Sequence, residues 1–428
     1  MMARTLCPTL LMVILLAVNG MNAVAQGQNS QKNYESAVQY LTEDGILTAD
    51  EINTMADEKG PESVLRYARE HGWQSGGTGQ KANKFEVNAD AVASIVLDAL
   101  TADPTAQEIK AVWESFPKEF KADRFELIGA PVYLAENVIG HNFSHYSEGL
   151  KIYGYLYKPN GDGPYPLIIM NHGGFGIGPL RPPKETSANV QAGDPRPFLV
   201  WCRDLAKEGY VVMASSYRGT RTDAGMSGGG QEGGRGEVTD VLNMLACAKT
   251  LSYVDKTRIG MVGTSHGGWI TALAVQRTKD ITAAIPFFPP GNLFFSEKAP
   301  LGGVRTRVQS LMKGEVLGPG AIGIVDKAVF LPLLQGKATL AETRAEMIAR
   351  TIHLFAENTN APLFIICGDN DELYPDSVLL YETLKKHGKE TWFKSYPGEG
   401  HGLTYRGSPE AIDGSFKDTV EFFGKRLK

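Results

Sequence analysis

The sequence predicts an α/β protein centred on a mostly parallel sheet with helices covering both faces. Three observations predict it. From about residue 165 onward, short unbroken apolar runs alternate with helical patterns, as strands buried on both sides require. A glycine-flanked serine, Gly263-Thr264-Ser265-His266-Gly267, stands between one such run and the helix after it. A second glycine-flanked loop, Gly398-Glu399-Gly400-His401-Gly402, follows the last run.

The 428 residues carry 43 Lys+Arg and 48 Asp+Glu, a net charge of −5. That length suits one large domain with an appendage, or two domains. The apolar share of 43% and charged share of 21% are those of a globular protein. A mildly acidic chain argues against a nucleic-acid surface, which needs clustered positive charge. The 48 glycines are concentrated in a few stretches without a period, which excludes collagen-like and low-complexity readings.

Residues 1–25 read as a signal peptide. Arg4 precedes the apolar run 10–18, and Ala23-Val24-Ala25 supplies a small-residue cleavage site before Gln26. The run is too short to span a bilayer comfortably, and no later run approaches that length. The mature chain is expected to be secreted or periplasmic, without a membrane span. Its three cysteines, Cys202, Cys247 and Cys367, allow at most one disulfide and fit small buried side chains better; no cluster suggests a metal.

Residues 26–124 form a mostly helical N-terminal region. Two helices over residues 33–73 break at Asp44-Gly45; residues 40–51 have calcium-loop spacing but too few carboxylates, and Thr48 with Glu51 reads as a capping box. A flexible joint, Ser75-Gly76-Gly77-Thr78-Gly79, precedes another helical stretch over 88–116. The second domain spans 125–428. Strands are expected near 132–139 and 151–157, then at 167–170, 211–214, 259–262, 283–288, 363–366 and 392–396, with helices near 237–250, from 266, near 376–387 and near 411–427. The interval from about 289 to 360 breaks this rhythm and reads as a cap over the sheet's C-terminal edge.

The serine pattern G-x-S-x-G between strand and helix is a nucleophile elbow, a sharp turn that lifts Ser265 clear of the sheet at a helix N-terminus. A hydroxyl needs a base, and His401, on the loop after the last strand, is the candidate. His353 and His387 read instead as solvated or helix-capping. The third member, which fixes the imidazole tautomer, should lie on the loop Cys367-Gly368-Asp369-Asn370-Asp371. Asp371 is preferred, with Asp369 stiffening the turn through amides two residues on. Two oxyanion donors are expected, the backbone N–H of His266 and one from Asn171-His172-Gly173-Gly174-Phe175, with Gly173 and Gly174 the candidates. The side chains of His172 and His266 shape the site.

These residues resemble the catalytic domain of the prolyl-oligopeptidase (S9) family within the α/β-hydrolase superfamily, and its relatives the acylaminoacyl peptidases and dienelactone-hydrolase-like esterases. The resemblance covers roughly residues 150 to 425. Besides the serine motif, it rests on His172-Gly173-Gly174, Ser216-Tyr217-Arg218-Gly219, Val254-Asp255 with Arg258-Ile259-Gly260, Gly368 to Asp371, and Tyr396-Pro397-Gly398-Glu399-Gly400-His401. It implies an α/β-hydrolase fold with a cap insertion, a Ser265–His401–Asp371 triad, and a serine hydrolase that needs neither metal nor cofactor. It also implies that Arg218 organises the site or a neighbouring acidic group.

The expected function is that of a secreted S9-like serine peptidase acting on short peptides through an acyl-enzyme. The family's peptidases carry a β-propeller in front, where this chain has helices. A carboxylic ester hydrolase of acyl-sugar or aryl esters, without peptidase activity, is therefore the alternative. Glu232 and Glu237 stand near a glycine-rich loop, as amine clamps or as solvated side chains, and Phe287, Phe288, Phe294 and Phe295 line an acyl pocket or the core. A non-catalytic binding protein is a third reading, against which the complete triad argues.

Overall fold

A computed structural model of the chain describes residues 85, 87–174, 196–222, 224–294, 303–314 and 320–428, together with 37, 55–56, 60 and 62–65. The chain divides into two compact units, Met1–Ala82 and Asn83–Lys428. In the first, helical backbone is described at residues 37, 55–56 and 62–65. The expected signal peptide over 1–25 and the loop over 40–51 lie outside the described residues.

The second unit opens with three short helices, α1 (Ala89–Ser94), α2 (Leu97–Thr101) and α3 (Ala106–Ser115). Three antiparallel strands follow, β1 (Glu126–Ala135), β2 (Val138–Ser147) and β3 (Leu150–Pro159). Then come β4 (Tyr165–Asn171), α4 (Arg196–Lys207), β5 (Val211–Ser215), the small hairpin β6 (Arg221–Thr222) and β7 (Gly225–Met226), and α5 (Gly236–Ala248). They lead to β8 (Val254–Thr264), α6 (His266–Arg277) and β9 (Ala283–Phe287). After the insertion the chain closes with β10 (Leu363–Gly368), α11 (Tyr374–Lys386), β11 (Thr391–Tyr396) and α12 (Pro409–Leu427).

The nine-stranded sheet runs β1-β2-β3-β5-β4-β8-β9-β10-β11, parallel from β5 to β11. Its central strands bury both faces, so alternate side chains enter two cores. Leu167, Ile169, Val211, Met213 and Met261 pack with α5 and α6. Ile168, Met170, Val212, Ala214 and Val262 pack with Trp201 and Leu205 of α4 and with Phe423 of α12.

The strand expected over 132–139 is in fact the end of β1, a turn at 136–137 and the start of β2. The polar run His141, Asn142, Ser144 and His145 inside β2 hides its strand character. The turn into β3 is made by Glu148 and Gly149, both at positive φ (+51° and +82°). All three cysteines are buried and free. Among the described residues no helix is long and apolar enough to cross a membrane, and no group of three or more potential metal ligands occurs.

The described insertion comprises α7 (Val304–Met312), α8 (Gly320–Val325), a π-helical turn (Asp326–Phe330), α9 (Leu331–Leu334), α10 (Leu340–Arg350) and a 3₁₀ segment (Ile352–Asn358). Residues 349–352, where α10 passes into the 3₁₀ segment, are fixed to α6. Trp269 Nε1 donates to Arg350 O at 2.7 Å near the start of the helix, and Gln276 Nε2 to Ile352 O at 2.7 Å and Arg277 to Ala349 O at 3.2 Å near its end.

The helices over 89–115 pack on this insertion, within the same compact unit as the sheet. Arg344 of α10 is the junction. It pairs with Glu108 at 2.8 and 3.1 Å and donates to the carbonyls of Ala99, Leu100 and Ala102. His353, expected to be solvated or to cap a helix, is buried in the 3₁₀ segment, and burial takes its imidazole down to about 4. His387 does lie at a helix end, as the C-cap of α11.

Candidate active site

Ser265 links β8 to α6 with φ +54° and ψ −119°, a backbone conformation that few non-glycine residues adopt. The turn is held from both sides. Ser265 N–H donates to Phe287 O at 3.0 Å, and Trp269 N–H donates to Ser265 O at 2.9 Å. The flanking glycines are needed because the backbone is crowded here. A Cβ on Gly267 would run into Asn171 O, and one on Gly263 into the Gly267 carbonyl.

Ser265 Oγ lies 3.0 Å from His401 Nε2, and His401 Nδ1 lies 3.2 Å from both carboxylate oxygens of Asp371. Asp371 is buried and Oδ1 also accepts the N–H of Leu373 at 2.8 Å. With the His401 proton on Nδ1, facing the carboxylate, Nε2 is left to accept from the hydroxyl. The three residues named from the sequence are thus brought together.

Asp369 has a different role from the one expected. It does not bond amides two residues on, which Asp371 does; it accepts Gly398 N–H at 2.6 Å from the loop carrying His401. Phe288, whose ring stands edge-on to His401 at 5.0 Å, was named from the sequence only as pocket or core. It is fully buried and holds φ +35°, a strain that marks a constrained site.

His266 is the first residue of α6, and Gly173 and Gly174 follow β4. A Cβ on Gly173 would stand 3.8 Å from Ser265 Cβ, so that loop borders the serine. The His172 ring is buried and stacks on Tyr217 at 4.1 Å, with Nδ1 2.6 Å from Gly173 O and Nε2 3.2 Å from Ser216 O. Burial takes it down to about 4, so the ring is neutral and donates to one of the two carbonyls. It holds the loop rather than accepting protons.

Arg218 organises acidic groups, as the resemblance implied. It binds Asp240 through Nε (3.0 Å) and Nη2 (2.8 Å), and reaches Glu148 and Glu232, each at 2.7 Å. Glu232 Oε2 also accepts Gly236 N–H at 3.1 Å. Glu237 is fully buried rather than solvated, and accepts the N–H groups of Glu232, Gly233 and Arg235. Of the four phenylalanines, Phe287 and Phe288 are buried, Phe294 lies under the Arg344 guanidinium, and Phe295 is outside the described residues.

A family model for the alpha/beta hydrolase fold matches residues 235–405, and one for the X-Pro dipeptidyl-peptidase (S15) family matches 148–307. The chain is 26% identical over 277 residues to the uncharacterised peptidase YuxL of Bacillus subtilis, covering 61% of this chain and 35% of that protein. It is 24% identical over 262 residues to dipeptidyl peptidase family member 6 of Caenorhabditis elegans, covering 57% and 31%. The chain thus spans about a third of the length of these curated relatives. Among solved structures, acylaminoacyl peptidase of Pyrococcus horikoshii shares 20% identity at a TM-score of 0.48, over 68% of this chain and 42% of that one. Acetyl xylan esterase 1 of Thermoanaerobacterium sp. shares 15% at 0.49, over 79% and 99%.

The sheet, the strand–serine–helix turn and the family matches define an α/β-hydrolase. Over part of its length the chain is similar to alpha/beta-hydrolase-fold proteins and to peptidases.

Proposed function

We propose that Ser265, His401 and Asp371 form a catalytic triad that hydrolyses an acyl bond through an acyl-enzyme. The observation that carries this is the continuous hydrogen-bond chain from Ser265 Oγ through His401 to the buried Asp371. Ser265 Oγ attacks the acyl carbonyl while His401 Nε2 takes its proton, and Asp371 stabilises the imidazolium. The oxyanion is held by the backbone N–H of His266 and one from Gly173 or Gly174, each donor worth about 3 kcal/mol of barrier. His401 then protonates the leaving amine or alkoxide. Water, deprotonated by His401, cleaves the acyl-enzyme to release the acid and restore Ser265.

The first reading of the substrate is a short peptide, in keeping with the peptidases among the relatives. The second is a carboxylic ester, and a specific observation favours it. Glu232 and Glu237, the carboxylates weighed as clamps for a peptide's N-terminal ammonium, are engaged by Arg218 and by backbone amides. We further propose that the leader over 1–25 exports the protein, which a mature chain beginning at Gln26 by mass spectrometry would bear out and an unprocessed one refute.

Short-chain p-nitrophenyl esters compared with aminoacyl and Xaa-Pro p-nitroanilides separate the two substrates, with Ser265→Ala as the blank. Anilide turnover establishes the peptidase, and ester turnover alone the esterase. Activity retained in Ser265→Ala, with no fluorophosphonate labelling of the native enzyme, overturns both.

A further inference from the structure

Glu237, the second residue of α5, is a fully buried carboxylate that the acyl-transfer chemistry leaves unused. Its Oε1 accepts the N–H groups of Glu232 at 2.6 Å and Gly233 at 2.9 Å, and its Oε2 that of Arg235 at 3.3 Å. Burial opposes its charge, but the neighbouring His266 and these amides outweigh burial and keep its pKa below the ordinary glutamate value. The groups that feel this charge surround the nucleophile: His266 of α6, Tyr217 on the loop after β5, and His172 after β4.

His266 directly follows Ser265. Its ring is completely buried, and neither nitrogen has a hydrogen-bond partner among the described residues. It stands edge-on to Tyr217 at 5.9 Å and to Trp269 at 6.1 Å. Hydrogen bonding therefore does not orient it; the packing of Tyr217 and Trp269 against the ring does.

The loop that Glu237 holds by its amides is held by its carbonyls from the other side. The Arg350 guanidinium of α10 donates to Glu232 O at 3.1 and 2.8 Å and to Gly233 O at 2.9 Å. The carbonyl of Arg350 accepts from Trp269 Nε1 at 2.7 Å, one turn after Ser265. The contacts form a chain from Glu237 through the 232–233 backbone and Arg350 to Trp269, whose own N–H donates to Ser265 O at 2.9 Å.

We propose that Glu237 is a positioning residue for acyl transfer, fixing through this chain of contacts the first turn of α6 and with it the His266 backbone N–H that receives the oxyanion. The proposal rests on the reading of Ser265 given above. An oxyanion donor acts only when its N–H is aimed where the charge develops, so a small tilt of the first turn of α6 weakens the transition state more than the ground state. Glu237→Gln keeps the shape but removes the charge, and it sets an NH₂ group against at least one of the three N–H donors. Arg350→Lys breaks the chain of contacts from the insertion, since an ammonium cannot span both carbonyls in the guanidinium's fork.

The full-length enzyme is assayed on whichever ester or anilide it turns over in a Ser265-dependent way. For each variant kcat is expected to fall about tenfold with KM within about twofold, and the inhibition constant of a matching trifluoromethyl ketone to rise by the same factor. Unchanged kcat in both variants overturns the proposal. So does a rise in KM in step with a lowered Tm, which marks a packing role only. If Glu237→Gln does not fold, Arg350→Lys decides alone. Activity surviving in Ser265→Ala, measured alongside, is a failure of the underlying site reading and not of this inference.

Discussion

Asp369 accepts the backbone N–H of Gly398 at 2.6 Å, which ties the loop after β10 to the loop that carries His401. Two aspartates two residues apart therefore divide the labour. Asp371 faces the imidazole, and Asp369 fixes the distance between the two loops. Asp371→Asn removes the charge and favours the wrong tautomer, and kcat is expected to fall by roughly 10⁴. Asp369→Asn retains the oxygen that accepts Gly398 and should cost less than about tenfold. Asp369→Ala removes that acceptor and should lower stability by about 1 kcal/mol, because the bond is solvent-exposed. Steady-state kinetics of the three variants decide the assignment, and an Asp369→Asn loss as large as that of Asp371→Asn would reverse it.

Phe288 bears on the same imidazole from another direction, edge-on at 5.0 Å, and keeps φ +35° to do so. Its N–H donates to Ile366 O at 2.8 Å, so the strained residue is fixed to β10. Truncation frees the ring of His401 to rock away from Ser265. Phe288→Ala is expected to lower kcat about tenfold or more while KM changes little, since misplacement of a reacting group is paid mainly in the chemical step. The rate of fluorophosphonate labelling should fall with it; labelling at the native rate would show that Phe288 only fills space.

The central strands and both catalytic loops were legible because their signals are local. Apolar runs at 167–170 and 259–262 mark buried strands whatever surrounds them, the glycines around Ser265 record backbone crowding, and Gly398 and Gly402 beside His401 take positive φ. What escaped depends on contacts between distant segments. Asp369 meets Gly398 and Arg350 meets the carbonyls of Glu232 and Gly233 only after the sheet has formed. Likewise, the polar face of β2 disguises a strand whose neighbours bury it. The attachment of the insertion to α6 was hidden too, since it is set by Trp269 and Gln276 donating to carbonyls about eighty residues away.

Arg344 joins the helices over 89–115 to the insertion through Glu108 and three backbone carbonyls. Its side chain is about one-tenth exposed while that of Glu108 is about a third exposed, so removing it leaves three carbonyls without this donor and Glu108 with only its Thr105 bonds. Arg344→Met should cost about 1–2 kcal/mol, less than breaking a fully buried ion pair, because Glu108 is part-exposed and keeps Thr105. The loss should be local before it is global. Trypsin is expected to cut the variant at Lys110 and Lys118 under conditions in which the native protein resists. Equal resistance would show that the apolar contacts of Val112 and Phe116 with Ile348 and Phe355 suffice.

Acid should destabilise the fold well before its carboxylates are protonated. Burial takes the imidazoles of His145, His172 and His353 down to about 4, from an ordinary value of 6.5. The unfolded chain binds these protons near pH 6.5 and the folded chain only near pH 4. Each therefore contributes stability that is present above pH 6.5 and lost as the pH falls toward 4. Asp376 acts in the opposite sense. Burial raises it to about 7, so the folded chain holds a proton that the unfolded chain releases, and its penalty shrinks on acidification. Burial raises Asp240 as well, but it lowers His141 and His266 along with these three, so imidazoles outnumber carboxyls, and each net proton gives a slope of about 1.4 kcal/mol per pH unit. Urea unfolding between pH 7 and 4.5 should show the midpoint falling throughout. In His145→Phe, which keeps the packing beside Phe143 and removes one titrating group, the slope should flatten by about one proton. A midpoint that holds steady or rises on acidification would mean that the buried rings are already charged in the native state.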